Sequence, residues 1–266
     1  MDNKAVLPGM QALIDVMAKL RDPDGGCPWD LEQTFQSITP YTIEEAYEVA
    51  DAVERDDMND FKEELGDLLL QVVFQSQMAN EKGLFDFDAV AGAEAQKLVS
   101  RHPHVFGDQK AESAADVVGI WNAQKDKEKA AQQYLLQAVT KGLPALMRAQ
   151  KIHRKVAKVG FDWPSQDEVF AKLDEEVAEL KQAVAAKDQK NLEEELGDIL
   201  FVTCVLAEHM GVDAESALRA ANNKFIKRFN GVEDLLKENS QKFGEATLAQ
   251  MDQHWNTMKK RERDAA

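Results

Sequence analysis

Glu44-Glu45-x-x-Glu48 and Glu175-Glu176-x-x-Glu179 carry the same acidic pattern. Fifteen residues past the last Glu of each, five residues recur unchanged: Glu63-Glu64-Leu65-Gly66-Asp67 and Glu194-Glu195-Leu196-Gly197-Asp198. Each position is offset from its copy by 131 residues. Residues three apart share one face of a helix, so Glu45 with Glu48, Glu64 with Asp67, Glu176 with Glu179 and Glu195 with Asp198 each aim two carboxylates in one direction. Four such groups facing one another from two antiparallel helices repel strongly unless a cation lies between them. Oxygen ligands of this kind suit a hard divalent ion, and Mg²⁺ typically bridges protein carboxylates to substrate phosphates. A single Glu-x-x-Glu is ordinarily a solvated helix face. Two matched quartets, each with Gly at the same place and an apolar stretch beyond, favour a metal site for a phosphate ester or anhydride.

Cations recur as well. Lys97-x-x-x-Arg101 is matched by Lys224-x-x-x-Arg228, and Trp121-x-x-x-Lys125 by Trp255-x-x-x-Lys259. Two cations one helical turn apart can hold terminal phosphates, Arg as a bidentate fork and Lys as a point charge. The tryptophans fit core packing and base stacking equally. His102 and His104 flank a Pro that breaks any helix, which disfavours them as metal ligands, and Cys27 has no Cys or His partner nearby.

The elements that position these residues are helical. Apolar spacing predicts helices over about 8–20, 41–54 from a start at Pro40, and then from about Phe61, where Leu65, Leu68, Leu69, Val72 and Val73 form a core stripe. Ile43, Ala46, Tyr47 and Ala50 form the stripe of the preceding helix. Others are expected over 87–101, around 121–129, and over 146–159, 169–186, 192–210, 214–236 and 248–263. Cys27-Pro28-Trp29-Asp30 reads as a turn with Trp29 as a core anchor, and Gly160-Phe161-Asp162-Trp163-Pro164 replaces it in the second half. Cys204 and His209 read as core residues. Gly66 costs its helix about 1 kcal/mol against Ala, so a backbone or ligand is expected to approach it closely. No alternating β-branched stretch reads as a strand. The fold class is all-α: two tandem helical-bundle domains of four or five helices each, 1–130 and 143–266, joined by a linker over 131–142.

With 266 residues, 44% hydrophobic, the chain is long enough for two cores. A net charge of −16 argues against binding nucleic-acid polymers, whereas free nucleotides can be met through metal ions. Two cysteines, no signal-like apolar start and no apolar run long enough to span a bilayer give the expectation of a cytoplasmic protein without membrane contact.

The motifs together resemble the MazG family of nucleoside triphosphate pyrophosphohydrolases, grouped with the dimeric dUTPases among all-α NTP pyrophosphatases. The resemblance covers almost the whole chain. It includes Gly26-Cys27-Pro28-Trp29-Asp30, both acidic sets, Arg101-His102-Pro103-His104-Val105-Phe106, the stretch from Leu143 to Lys151, and Val159-Gly160-Phe161-Asp162-Trp163. It implies two MazG-like domains and hydrolysis of NTPs or dNTPs to monophosphate and pyrophosphate. It also implies Mg²⁺ as cofactor, with Mn²⁺ as a substitute, and a helix-built homodimer. By position, the catalytic metal ligands fall on Glu176, Glu179, Glu195 and Asp198, with first-half counterparts Glu45, Glu48, Glu64 and Asp67. Substrate contacts fall on Lys224, Arg228 and Trp255, with Lys97, Arg101 and Trp121 as first-half equivalents. Asn191, with Lys190 beside it, stands where family members often carry Lys. Either Glu179 or Glu176 is expected as general base, and the carboxy-terminal half as the main catalyst. Competing readings are a phosphohydrolase releasing orthophosphate, a metal-dependent nucleotide-binding or regulatory module without turnover, and a purely structural scaffold.

Overall fold

The computed structural model describes residues 9–128 and 134–265, and the chain divides into two compact units, Met1–Ala130 and Ala131–Ala266. The first holds α1 (Gly9–Leu20), α2 (Pro28–Glu32), α3 (Phe35–Glu54), α4 (Met58–Glu81), α5 (Phe87–Arg101), α6 (Pro103–Phe106) and α7 (Ala114–Glu128). The second holds α8 (Ala145–Ala157), α9 (Gln166–Ala186), α10 (Gln189–His209), α11 (Ala214–Glu238) and α12 (Leu248–Ala265). No strand occurs among the described residues. A short 3₁₀ turn, Leu135–Ala138, lies against α8, and Val139 beside it is buried, so this part of the connecting stretch is packed.

Local chemistry repeats along with the acids. The Thr34 hydroxyl accepts from the Ser37 N–H while Ser37 Oγ accepts from the Thr34 N–H, closing a capping box at the start of α3. Ser165 caps α9 at the matching position. Asp57 caps α4 and Asp188 caps α10, again 131 residues apart, and each follows a residue with positive φ, Asp56 at 57° and Lys187 at 54°. A cap of this kind contributes about 1 kcal/mol, so the caps set the helix starts. The Thr34 cap accounts for one difference from expectation: α3 begins at Phe35, not at Pro40, and carries Pro40 inside it.

Each unit is organised around one tight antiparallel hairpin, α3 with α4 and α9 with α10. A further helix, α1 or α8, packs on the second strut. In the first unit Met17, Ile38, Val73, Phe74 and Met78 close a buried cluster. In the second, Val169, Val202 and Val205 do so beneath Trp163, Leu173 and Phe201. Gln150 is fully buried yet satisfied, its Nε2–H donating to the Val212 carbonyl and its Oε1 accepting from the Ala214 N–H, which fixes where α11 starts.

Much of the expected core stripe faces outward. Ile43, Tyr47, Leu65, Val72, Leu196 and Leu200 are exposed, Leu200 by 51%. Helices apolar on two faces bury only one of them within the unit, and periodicity does not say which. Trp29 is likewise half exposed, in the short α2, with its ring edge toward Tyr41, so it is not a core anchor. Cys27 and Cys204 are free thiols, the latter buried.

Candidate active site

The two hairpins bring the predicted acids together. Glu45, Glu48 and Glu64 converge in the first unit, and Glu176, Glu179 and Glu195 in the second, with carboxylate oxygens in each group within 4.8 Å of one another. Glu-x-x-Glu on one helix supplies two groups, and the antiparallel partner supplies the third at the same height, which is why the copies share their spacing. Asp67 and Asp198 reach these groups through their charge. Burial, then Asp67, Glu48 and Glu64, push the Glu45 carboxyl above its usual range. Burial, then Glu48, Asp60 and Asp67, do the same to Glu64. Burial, then Glu179, Glu176 and Asp198, raise Glu195, which also shares a hydrogen bond with Glu176. Like charges gathered in one place add to burial in raising a carboxyl pKa. An all-oxygen donor set with surplus negative charge fits a hard divalent cation.

The groups differ in one respect. Lys172, one turn before Glu176 on α9, places Nζ 2.8 Å from both Glu175 Oε1 and Glu176 Oε1, and those carboxylates hold its ammonium above the usual lysine range. Glu176 is the most buried of the acids, 4% exposed. The first unit has Tyr41 at the matching position. Lys172 was absent from the sequence-based candidates, although its i, i+4 spacing to Glu176 was a readable signal.

Gly66 and Gly197 lie open: apart from the adjoining backbone of its own helix, a Cβ at either would meet no atom within 4 Å. The expected close approach therefore does not come from the surrounding protein within these described residues.

The basic pairs form a second, aromatic-lined region. Arg228 donates through Nε (2.8 Å) and Nη2 (2.7 Å) to Glu262 Oε2, and its guanidinium lies 5.6 Å from the Trp255 ring centroid. Phe225 stands 5.0 Å from the same Trp255 ring, beside an apolar cleft of about 270 Å³ that reaches Phe229, Leu248 and Met251. Lys259, with Arg228, Asn256 and Arg263, lines a separate polar cleft of about 330 Å³. Lys224 is exposed on α11. In the first unit Arg101 lies 5.2 Å over Trp121, whose ring meets His102 edge-on at 5.0 Å, and Lys97 pairs with Glu94. The Lys125 side chain lies outside the described residues. The acids thus meet acids, while Arg228 meets Trp255 and Glu262. The 127-residue offset of Lys97 and Arg101 from Lys224 and Arg228 equals that of the caps Asp86 and Asp213, so α5 and α11 occupy corresponding places.

A third group went unread in the sequence. His153 of α8, Asp162 of the α8–α9 loop and His209 of α10 converge, with both imidazole Nε2 atoms 2.8 Å from Asp162 Oδ1. Residues 9 and 47 positions from Asp162 carry no local spacing signal. His209 is therefore a polar contact and not simply a core residue.

Among the described residues, no helix is long and apolar enough to cross a membrane. A sequence profile described as the MazG nucleotide pyrophosphohydrolase domain matches residues 33–106 and 165–232, which takes in both acidic sets. The chain is 48% identical over 258 residues to the nucleoside triphosphate pyrophosphohydrolase of Escherichia coli K12, covering 95% of this chain and 97% of that one. It is 41% identical over 249 residues to the nucleoside triphosphate pyrophosphohydrolase/pyrophosphatase MazG of Thermotoga maritima, covering 94% and 95%. A nucleoside triphosphate pyrophosphohydrolase of Mycobacterium tuberculosis is 37% identical over 152 residues, 56% of this chain and 46% of that one. With the profile met once in each unit and two relatives matched nearly end to end, the chain belongs to the MazG nucleotide pyrophosphohydrolase family.

Proposed function

We propose that this protein hydrolyses nucleoside triphosphates to a nucleoside monophosphate and pyrophosphate, using Mg²⁺, with Mn²⁺ as a substitute. The observation that carries this reading is the pair of converging carboxylate groups, one on each helix hairpin. The names of the two full-length relatives support the substrate class. Glu176, Glu195 and Asp198 would hold the metal in the second unit, and Glu45, Glu48, Glu64 and Asp67 in the first. Mg²⁺ held there would supply positive charge opposite a polyphosphate and would acidify a bound water.

The side chains divide the remaining work. Glu179 is assigned as general base instead of a direct metal ligand, because Lys172 Nζ already lies against Glu176 Oε1. Lys224 and Arg228 neutralise the departing pyrophosphate, which requires Arg228 to exchange Glu262 for phosphate oxygens. Trp255 and Phe225 offer an aromatic wall against which a base can stack. Lys97, Arg101 and Trp121 are assigned the same parts in the first unit. We place the main activity in the second unit, where Lys172 pre-orients a buried Glu176. A regulatory or substrate-selecting role falls to the first, whose acids lack that partner.

The working form we propose is a homodimer, in which a second copy covers the outward faces of Ile43, Tyr47, Leu65, Leu196 and Leu200; exposed apolar patches of this kind mark interaction surfaces. The domain boundaries proposed are 1–130 and 143–266, and the proposed location is the cytoplasm, where the substrate pool lies. The test is product analysis by ³¹P NMR: pyrophosphate and monophosphate support the reading, and orthophosphate with a diphosphate refutes it.

A further inference from the structure

The α8–α9 junction contains a cluster that the nucleotide chemistry does not use. His153 is 3% exposed and its ring stacks on Trp163 at a 29° interplanar angle; its Nδ1 is buried without a hydrogen-bond partner. His209 lies 5.6 Å away, centroid to centroid. Between them, Asp162 Oδ1 receives both imidazole Nε2 contacts and the Trp163 N–H, all at 2.8 Å. The cluster thus gathers two imidazole nitrogens around one oxygen of a carboxylate. At 2.8 Å from a carboxylate oxygen each Nε2 carries a proton, which a metal ion would have to displace to Nδ1; His153 Nδ1 has no partner to oppose that change.

The corresponding junction of the first unit is closed differently. Arg21, at the end of α1, donates from Nε and Nη2 to the two oxygens of Glu81 and from Nη1 to the Asp30 carbonyl. That clamp is a bidentate ion pair, permanently charged and complete in itself. The second unit replaces it with groups that are metal ligands by type.

We propose that His153, Asp162 and His209 form a second metal site, selective for a borderline divalent transition-metal ion of the Zn²⁺ class and distinct from the carboxylate groups. Two imidazoles and one carboxylate match the donor preference of Zn²⁺ and its neighbours, while Mg²⁺ takes oxygen ligands. The three candidate ligand atoms lie within 4.8 Å of one another. Tetrahedral Zn²⁺ with bonds near 2.0–2.1 Å sets ligand atoms roughly 3.3 Å apart. Each Nε2–Oδ1 contact would lengthen by about half an ångström to reach that spacing, and the two Nε2 atoms, within 4.8 Å of each other, would adjust to it as well. A cleft of about 280 Å³, lined also by Arg154, Ala157 and Glu208, borders the cluster and leaves room for water as a fourth ligand. The ligands come from three elements, so the ion would pin the loop that starts α9 to the end of α10. It would thereby brace the hairpin that carries Glu176 and Glu195.

The test uses the full chain, stripped with chelator and kept in excess Mg²⁺ to occupy the carboxylate groups, and titrated with Co²⁺. The expected result is one Co²⁺ per chain with the intense visible absorption of a four-coordinate ion, displaced by Zn²⁺. Asp162→Asn and His209→Gln, each checked for native circular dichroism, should weaken this binding at least tenfold. In the unmodified protein, Zn²⁺ should shift the imidazole NMR signals of His153 and His209 and leave His254 unchanged, a readout that does not depend on any variant folding. Absence of Co²⁺ uptake under these conditions, equal uptake by either variant, or unshifted His153 and His209 signals would each overturn the proposal. Pyrophosphate release is measured separately, and its failure would bear on the carboxylate site alone.

Discussion

Lys172 Nζ lies 2.8 Å from Glu176 Oε1, one turn apart on α9, so one of the proposed metal-binding carboxylates already has a counter-charge from the protein. The ammonium offsets part of the repulsion within the group before any ion arrives. A divalent cation must then compete with it. Removing the ammonium should therefore weaken the metal-free protein and enlarge its response to metal. In Lys172→Met we expect a loss of about 1 kcal/mol without metal, since the pair is only partly exposed, and most of that loss recovered in saturating Mg²⁺. Differential scanning calorimetry with and without Mg²⁺ checks this. An unchanged metal-induced shift in Tm would contradict it.

Glu195 has a folded-state pKa raised above its ordinary value of 4.5. A raised carboxyl pKa means that the folded state binds the proton more tightly than the unfolded chain. The contribution of Glu195 to metal-free stability therefore falls as pH rises from about the ordinary value through the higher folded one, and stays unfavourable above it. Glu195→Gln removes that contribution, so the variant should melt higher than the parent at neutral pH without metal. The difference should vanish at acid pH. Pyrophosphate release by the same variant should drop by about a hundredfold or more. Melting curves across pH and a single rate comparison test both halves of this prediction.

Arg228 is bound in the free protein by Glu262, whose carboxyl that ion pair holds below the usual range. If Arg228 transfers to phosphate, Glu262 is a competitor of the substrate. Glu262→Gln should then lower KM, by about two- to tenfold, with little change in kcat. Arg228→Lys, which loses the bidentate fork, should raise KM by about tenfold. A KM that rises in Glu262→Gln would show that this pair positions Arg228 for the substrate and does not compete.

Leu196 and Leu200 are exposed on α10, one turn apart and next to the acids. A charge placed there should split the proposed dimer while leaving the buried cluster of Val169, Val202 and Val205 intact. Leu200→Glu is expected to halve the mass measured by light scattering. Circular dichroism should keep its helical content.

The sequence was most informative where spacing is local. Both hairpins, their acids and the ends of α5 follow from periodicity and from the Gly and Pro that interrupt it, and the carboxylates converge because an antiparallel hairpin returns the chain to the same height. What periodicity left open was direction. Ile43 and Leu200 obey the helical period as well as Val73 and Val205 do, yet only the latter pair is buried, because a helix apolar on two faces does not declare which face its own unit covers. Caps shifted boundaries: Thr34 and Ser37 start α3 earlier than Pro40 suggested. The His153, Asp162 and His209 cluster was invisible because its members come from a helix, a loop and a distant helix, and only packing of α8 against α10 joins them. Lys172 could have been found, since its spacing to Glu176 is the ordinary one for a helical ion pair.

The most direct test of the account is a count of tightly bound Mn²⁺ by electron paramagnetic resonance in the parent protein, in Glu64→Gln and in Glu195→Gln, with a nucleotide analogue present. The carboxylate groups predict that each variant loses the ions of its own unit and keeps those of the other. Equal Mn²⁺ binding in all three proteins would contradict the assignment of these acids as the metal ligands.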